Sequence, residues 1–189
     1  GSGVQITILQ GALTVSLASD TPTSNVAKGG SGSALAKFTI YAAGEPVKVK
    51  FLTFRLDFTG TTTTLSSMVK NMVMVDDAGN QVGTTINTPP TSNSCDVSGT
   101  GTTAGYNTAG TQYTDCFGTS SSNINYIIPA NTTRILTLRS DIQSTAGFST
   151  ITANLLASTS NLQGQTSSQL ASSGSVTGAA LTLAGSSLT

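Results

Sequence analysis

The chain alternates from its first residues. Val4, Ile6 and Ile8 fall on one side of an extended backbone and Gln5 and Thr7 on the other. After Gln10-Gly11 the same period resumes, with Leu13, Val15 and Leu17 against Thr14 and Ser16. Alternation with period two marks a strand buried on one face, so two half-buried strands are expected here. A turn-rich stretch from Asp20 to Ser33 follows, then a strand over 34–42 with Phe38 and Ile40 toward the core. The strongest strand signal runs over 47–58, and it changes phase. Val47, Val49 and Phe51 set one phase, while Leu52, Phe54, Leu56 and Phe58 set the other. Side chains on a strand alternate strictly, so a phase change needs an extra residue or a change of sheet. A bulge or bend is therefore predicted near Phe51-Leu52, of the kind that lets one strand turn a sandwich corner.

Further along, 61–64 reads as a loop and 68–75 as a strand. Asp76-Asp77-Ala78-Gly79-Asn80 reads as a hairpin turn with a return strand over 81–86. Residues 88–123 form a long irregular excursion. Residues 125–128 and 134–138 are expected strands around a Pro129-Ala130-Asn131 turn, and 148–157 alternates through Ile151, Ala153 and Leu155. From Ser158 the chain is low in complexity, and strand character returns only over 176–183. No segment carries a helical period. The expected fold is all-β: an antiparallel two-sheet β-sandwich of Ig-like, Greek-key type with one long tied loop. Residues 1–10 would be an N-terminal strand open to exchange with a neighbouring subunit, and 11–189 a single sandwich domain.

Composition narrows the setting. Charged residues are 8% of the 189 and the formal net charge is +0, against about 25% charged in typical soluble domains. Disordered chains combine low hydrophobicity with high net charge, which this chain lacks. A neutral surface rich in hydroxyl groups suits packing against copies of itself or a coat of sugar. The eight Lys and Arg are scattered and matched by eight acids, so no phosphate-tracking patch, and no nucleic-acid partner, is expected. No stretch approaches the ~20 apolar residues of a membrane helix, and no basic-then-apolar leader opens the chain. The expectation is a mature, secreted form without membrane insertion. Cys95 and Cys116 flank a loop rich in Gly and Thr and read as a disulfide. Without His or a second Cys pair they do not read as a zinc site.

Residues 11–58 carry a resemblance. GALTVSLASDTP, a Gly/Ser turn and then ALAKFTIYAAGEPVKVKFLTF resemble a recurrent module of bacterial surface proteins. Those modules pair a TVSLASDTP-like strand with an AKF…A.GE.VKV..L strand pair. YIIPANTTRILTLRSDI resembles the strand that closes the same module. The family comprises Ig-like β-sandwich modules of surface-layer and pilus-like proteins. The resemblance implies a sandwich fold and a cell-surface location, and brings no catalytic or binding residue with it.

The inventory of reactive groups is short. His is absent, which removes Ser-His-Asp and Cys-His arrangements and the usual metal ligand. Glu45, the sole Glu, sits in a Gly-Glu-Pro turn and reads as solvated. Asp76, Asp77 and Asn80 could offer oxygen ligands to Ca²⁺, although such residues are common in turns for backbone reasons. Gly29-Gly30 lacks the context of a phosphate loop. No cofactor is expected, and the chain is read as a non-enzyme. Asn131-Thr132-Thr133 is an N-glycosylation sequon in an expected turn. Tyr106 and Tyr113 lie in the cystine loop and could contact a sugar or a neighbouring subunit.

Two functional readings follow. In the first, the chain is a self-assembling subunit of an extracellular filament or surface layer. Its partners are identical subunits, and Val4, Ile6 and Ile8 fill a groove in the next copy by strand addition. Residues 4–9 contain neither charge nor Pro, the usual blocks to edge pairing. In the second, it is a carbohydrate- or surface-binding module of a larger secreted protein, with Tyr106 and Tyr113 at the site and glycans as partners. The lack of Trp counts against the second. A virion shell or fibre protein shares the physics of the first.

Overall fold

The structure, a computed structural model, describes residues 12–93, 95 and 105–185. In chain order the strands are β1 (Ala12–Leu17), β2 (Asn25–Ala27), β3 (Ser33–Ala43), β4 (Val47–Val49) and β5 (Leu52–Thr59). A 3-10 turn, Leu65–Ser67, precedes β6 (Val69–Asp76), β7 (Gln81–Ile86), β8 (Gly105–Tyr106), β9 (Gln112–Phe117) and β10 (Tyr126–Ile128). The chain closes with β11 (Thr132–Ile142), β12 (Thr150–Leu155), β13 (Ser158–Gly164), β14 (Leu170–Ser173) and β15 (Val176–Ala184). Among the described residues no helix is long and apolar enough to cross a membrane.

The expected all-β sandwich is present, built from three hydrogen-bonded ladders rather than two. A five-stranded sheet runs β1-β3-β11-β6-β7, a six-stranded sheet β2-β15-β12-β5-β9-β8, and a four-stranded sheet β10-β4-β13-β14. Every pairing is antiparallel except β2 with β15. The third ladder arises at the expected phase change. β4 and β5 are interrupted at Lys50-Phe51 and belong to different sheets. β12 and β13 turn the same corner beside them, since β5 pairs with β12 and β4 with β13. From Phe54 to Val49 is five residues, while their partners Leu155 and Leu162 are seven apart. The two extra residues on the outer path let the pair of strands bend together.

A corner leaves ladder groups without partners, and buried orphans cost about 1–3 kcal/mol each. Asn161, fully buried, resolves this. Its Nδ2 donates to the Phe51 carbonyl at 3.1 Å and to Ser173 Oγ at 2.8 Å, and its Oδ1 accepts from Ser173 N at 2.9 Å. The Lys50 amide donates to the Asn161 carbonyl at 2.8 Å. This is why residues after Ser158, expected to be low-complexity and strand-poor, form two strands. Beside Leu162 their buried positions include Ser158, Asn161 and Ser173, which are buried for hydrogen bonding rather than for apolarity.

The apolar core joins the inner faces. Phe38, Ile40, Leu136, Leu138, Met72 and Met74 come from the five-stranded sheet, Phe54, Leu56, Ile151 and Phe117 from the six-stranded one, and Val47, Val49, Ile128 and Leu162 from the third. Burying each such side chain contributes about 1.5–3 kcal/mol.

Two further expectations are corrected. The 88–123 excursion is not wholly irregular: β9 is an interior strand between β5 and β8. Glu45 is not solvated; it is 7% exposed, and its carboxylate accepts from Thr166 N at 2.7 Å, Ser167 N at 2.9 Å and Ser167 Oγ at 2.6 Å. Gly164 leaves the space this carboxylate occupies. The Gly-Glu-Pro turn thereby clamps the turn between β13 and β14.

Asn161→Ala should leave the Phe51 carbonyl and the Ser173 amide unpaired. A loss of about 2–4 kcal/mol is expected in urea denaturation, and an unchanged midpoint would contradict the role assigned to this corner.

Candidate functional site

The outer edges of the sheets are the most unusual part of the surface. Edge strands are ordinarily blunted by charge, Pro or bulges. Among the described residues the six edge strands are β1 and β7, β10 and β14, and β2 and β8. None contains Lys, Arg, Asp, Glu or Pro. The charged residues on strands lie instead on interior β3, β4, β5, β6, β9 and β11. The large apolar side chains exposed among the described residues are Leu17 on β1, Ile127 on β10, Leu170 on β14 and Tyr41. Three of these four stand on edges. In the four-stranded sheet the register aligns Ile127 with Lys48, Lys48 with Gln163, and Gln163 with Leu170. Opposed residues share a face. One row therefore crosses the outer face, with Ile127 (51% exposed) and Leu170 (49% exposed) at its two ends.

The sequence-derived site residues fall in separate places. Val4, Ile6 and Ile8 lie outside the described residues. The segment that carries them joins the body at Ala12, opposite Ala43, at one end of the five-stranded sheet. Cys95 and Cys116 form the expected disulfide. It closes a loop of sequence separation 21, an effect of roughly 3 kcal/mol on the chain-entropy account. Tyr113 is not a surface contact. It is 0% exposed, edge-on to Phe54 at 6.3 Å between ring centroids. Its position on the inner face of β9 follows from its pairing with Leu56. Tyr106 is half-buried, and its hydroxyl donates to the Gly110 carbonyl at 2.8 Å. Tyr113 is therefore closed to any ligand, while Tyr106 anchors the loop through its hydroxyl.

Asn131 is exposed in the β10–β11 turn, with φ 55°. Its Oδ1 accepts from the Gly44 amide at 3.1 Å, while the nitrogen that would carry a sugar takes no part in that bond. Asp76 does not present an open ligand set for calcium. Its Oδ1 accepts from Ala78 N at 3.0 Å and Asn80 N at 2.8 Å, and its Oδ2 from Asn80 Nδ2 at 3.2 Å and Tyr126 Oη at 3.3 Å. Burial raises its pKa, but these bonds outweigh burial and hold it below the ordinary range. Tyr126 is pushed up to about 12 by burial and by the adjacent Asp76 charge.

Sequence reasoning did not find an open groove of about 550 Å³ on the outer face of the five-stranded sheet. Val75, Ile135 and Thr137 line it, together with Asp20, Lys37 and Arg139. Lys37 Nζ pairs with Asp20 Oδ2 at 2.5 Å, and this bond lowers the Asp20 pKa. The mixed rim can hydrogen-bond a hydroxyl-rich ligand. Its residues come from separate segments, so no local motif announces it.

Two carboxyl groups have opposite pH signatures. Asp141 accepts from Asn71 Nδ2 at 2.7 Å, Gly32 N at 2.6 Å and Ser31 Oγ at 3.0 Å, and these bonds lower its pKa. Its contribution to stability is present above the unfolded value of about 3.9 and is lost as pH falls through the folded one. Asp115 is raised by burial, against bonds from Tyr113 and the Cys116 amide. Its contribution is fully present below the unfolded value and is lost as pH rises through the folded one. Thermal melts should therefore show Asp115→Asn gaining on the wild type between pH 3 and 7, and Asp141→Asn losing ground over the same interval. The reverse ordering would contradict these environments.

No protein-family model matches the chain, and no curated protein matches it. Among solved structures it is similar to AvmM, which catalyses macrocyclisation in alchivemycin A biosynthesis. That likeness has a TM-score of 0.42 and 7% identity, over 95% of this chain and 91% of that one. It is also similar to the seventh ScaB type I cohesin of Pseudobacteroides cellulosolvens, with a TM-score of 0.34 and 11% identity, over 93% and 94% of the two chains. Both likenesses are distant, and neither assigns an activity to this chain.

Proposed function

We propose that the chain is a non-catalytic structural subunit of an extracellular filament or surface layer, assembling by strand addition between sandwich subunits. The observation that carries this reading is the condition of the edges. All six lack charge and Pro, and three of the four exposed large apolar side chains stand on them. A bulge at Gly83 blunts β7, and β2 and β8 are only three and two residues long; on β1, β10 and β14 neither charge nor Pro opposes pairing, and a subunit that pairs through them has no need of either. The donor in this reading is the segment holding Val4, Ile6 and Ile8. Ten extended residues span about 33 Å, enough to leave one sandwich and reach the next. A head-to-tail contact of this kind that does not close generates a fibre. The disulfide fits an oxidising, extracellular setting, and Asn131 is available for a glycan. The identical subunit is the main partner.

A carbohydrate-binding module is the second reading. The groove beside Lys37 and Arg139 favours it, in place of the Tyr106 and Tyr113 loop.

Electron microscopy with intact-mass measurement tests the choice. Wild-type chain should form filaments or a lattice. Deletion of residues 1–10, and separately Ile127→Lys with Leu170→Lys, should leave folded monomers. Assemblies unchanged in both variants would overturn strand addition. A wild-type sample that stays monomeric would move the carbohydrate-binding reading to first place.

A further inference from the structure

We propose that the Cys95–Cys116 cystine is a thiol-exchange site in which Asp115 supplies the proton to the departing sulfur. The motivating geometry is a contact that a simple staple does not require. Asp115 Oδ1 lies 3.4 Å from Cys95 Sγ. A disulfide sulfur carries no proton, so a proton in this contact belongs to the carboxyl group. Once the bond opens, the Cys95 thiol becomes the donor and the same oxygen the acceptor, at a separation suited to a sulfur hydrogen bond. One atom pair thus serves both redox states.

Position 115 makes the carboxyl group conspicuous. It shares the inward face of β9 with Tyr113 and Phe117, a phase otherwise filled by aromatic rings. Asp115 is 6% exposed, and a buried carboxyl group is costly unless it is paired or neutralised. Tyr113 Oη donates to its Oδ2, and the Cys116 amide to its Oδ1 at 2.8 Å. Both bonds fix its orientation against the sulfur. The cystine is also accessible. A cleft of about 300 Å³ is lined by Cys95, Cys116, Asp115, Asn93, Thr84 and Thr119, and both cysteines are partly exposed. Perturbed ionisable groups in clefts mark sites of chemistry more often than chance.

The step balances with one external thiolate. The thiolate attacks Cys116 Sγ and forms a new S–S bond. The Cys95–Cys116 bond breaks, and its electron pair passes to Cys95 Sγ. That sulfur takes the proton from Asp115, leaving a Cys95 thiol, an Asp115 carboxylate and a mixed disulfide on Cys116. The partner is defined by chemistry: a small thiol or a protein thiol able to enter the cleft. Among the described residues, the groups facing Asp115 are Tyr113 on its own strand, Phe54 opposite it on β5, and Thr84, Asn93 and Cys95 around the cleft. Of these, Tyr113 is the one ionisable side chain outside the cystine. Asp96 follows Cys95 in the sequence and lies outside the described residues, so it serves as the control.

The experiment follows opening of the oxidised protein by glutathione from pH 5 to 9. It compares wild type, Asp115→Asn, Tyr113→Phe and Asp96→Asn, with rates corrected for the reagent's thiolate concentration. Wild type should open at least about tenfold faster than Asp115→Asn at the acidic end, and the advantage should fade as Asp115 ionises. Tyr113→Phe removes a donor to the carboxylate and should move that fade to higher pH. Glutathione should be found on Cys116 by peptide mass. Equal corrected rates and profiles for wild type and Asp115→Asn would overturn the proposal. So would glutathione on Cys95, or a profile that follows Asp96→Asn. If Asp115→Asn fails to fold, the Tyr113→Phe shift and the identity of the modified sulfur decide the question.

Discussion

At Lys50-Phe51 the backbone leaves one sheet and enters another, and its polar groups there have no regular ladder to join. The Asn161 side chain supplies the missing partner to the Phe51 carbonyl, and its backbone carbonyl receives the Lys50 amide. The four-stranded sheet exists because of this arrangement. β4 and β13 stay paired beyond the corner, and β10 and β14 add to their flanks. Those flanking strands carry Ile127 and Leu170. The corner thus links the core to the exposed apolar ends of the outer face: a hydrogen bond buried deep in the sandwich sets where Ile127 and Leu170 stand.

Charge is used sparingly, and at least four of the eight acids bind backbone amides. Glu45 holds the turn after β13, Asp76 the hairpin after β6, and Asp141 the glycine-rich loop before β3, while Asp115 holds the amide of Cys116. A chain with 8% charged residues commits much of its acidic capacity to backbone geometry and leaves its edges neutral. This division separates the two kinds of surface. Interior strands carry the ions and the polar groove, and edge strands carry hydroxyls, amides and aliphatic groups.

The legible part of the sequence was the part where burial means apolarity. Phe54, Leu56 and Phe58 alternate, and β5 follows them; the phase change at Phe51-Leu52 correctly announced a sheet switch. The Asp76-Asp77-Ala78-Gly79-Asn80 turn and the β7 return strand were readable for the same reason. β13 and β14 were not, because Ser158, Asn161 and Ser173 are buried to satisfy a corner and hydropathy cannot show that. β9 was obscured by Asp115, a carboxyl group at a core position between Tyr113 and Phe117. Glu45 looked solvated because its partners, Thr166 and Ser167, are more than a hundred residues away in the chain. The groove at Lys37 and Arg139 is likewise a product of tertiary contact. The edge property was visible only in combination: composition gave the scarcity of charge, and topology identified which strands were edges.

The most direct test of strand addition is amide hydrogen exchange, compared between monomeric and assembled protein. Strand addition predicts that residues 4–9 gain slow exchange on assembly together with one of the edge strands β1, β10 or β14. Protection confined to interior strands in both samples, with residues 4–9 exchanging freely in the assembly, would contradict it.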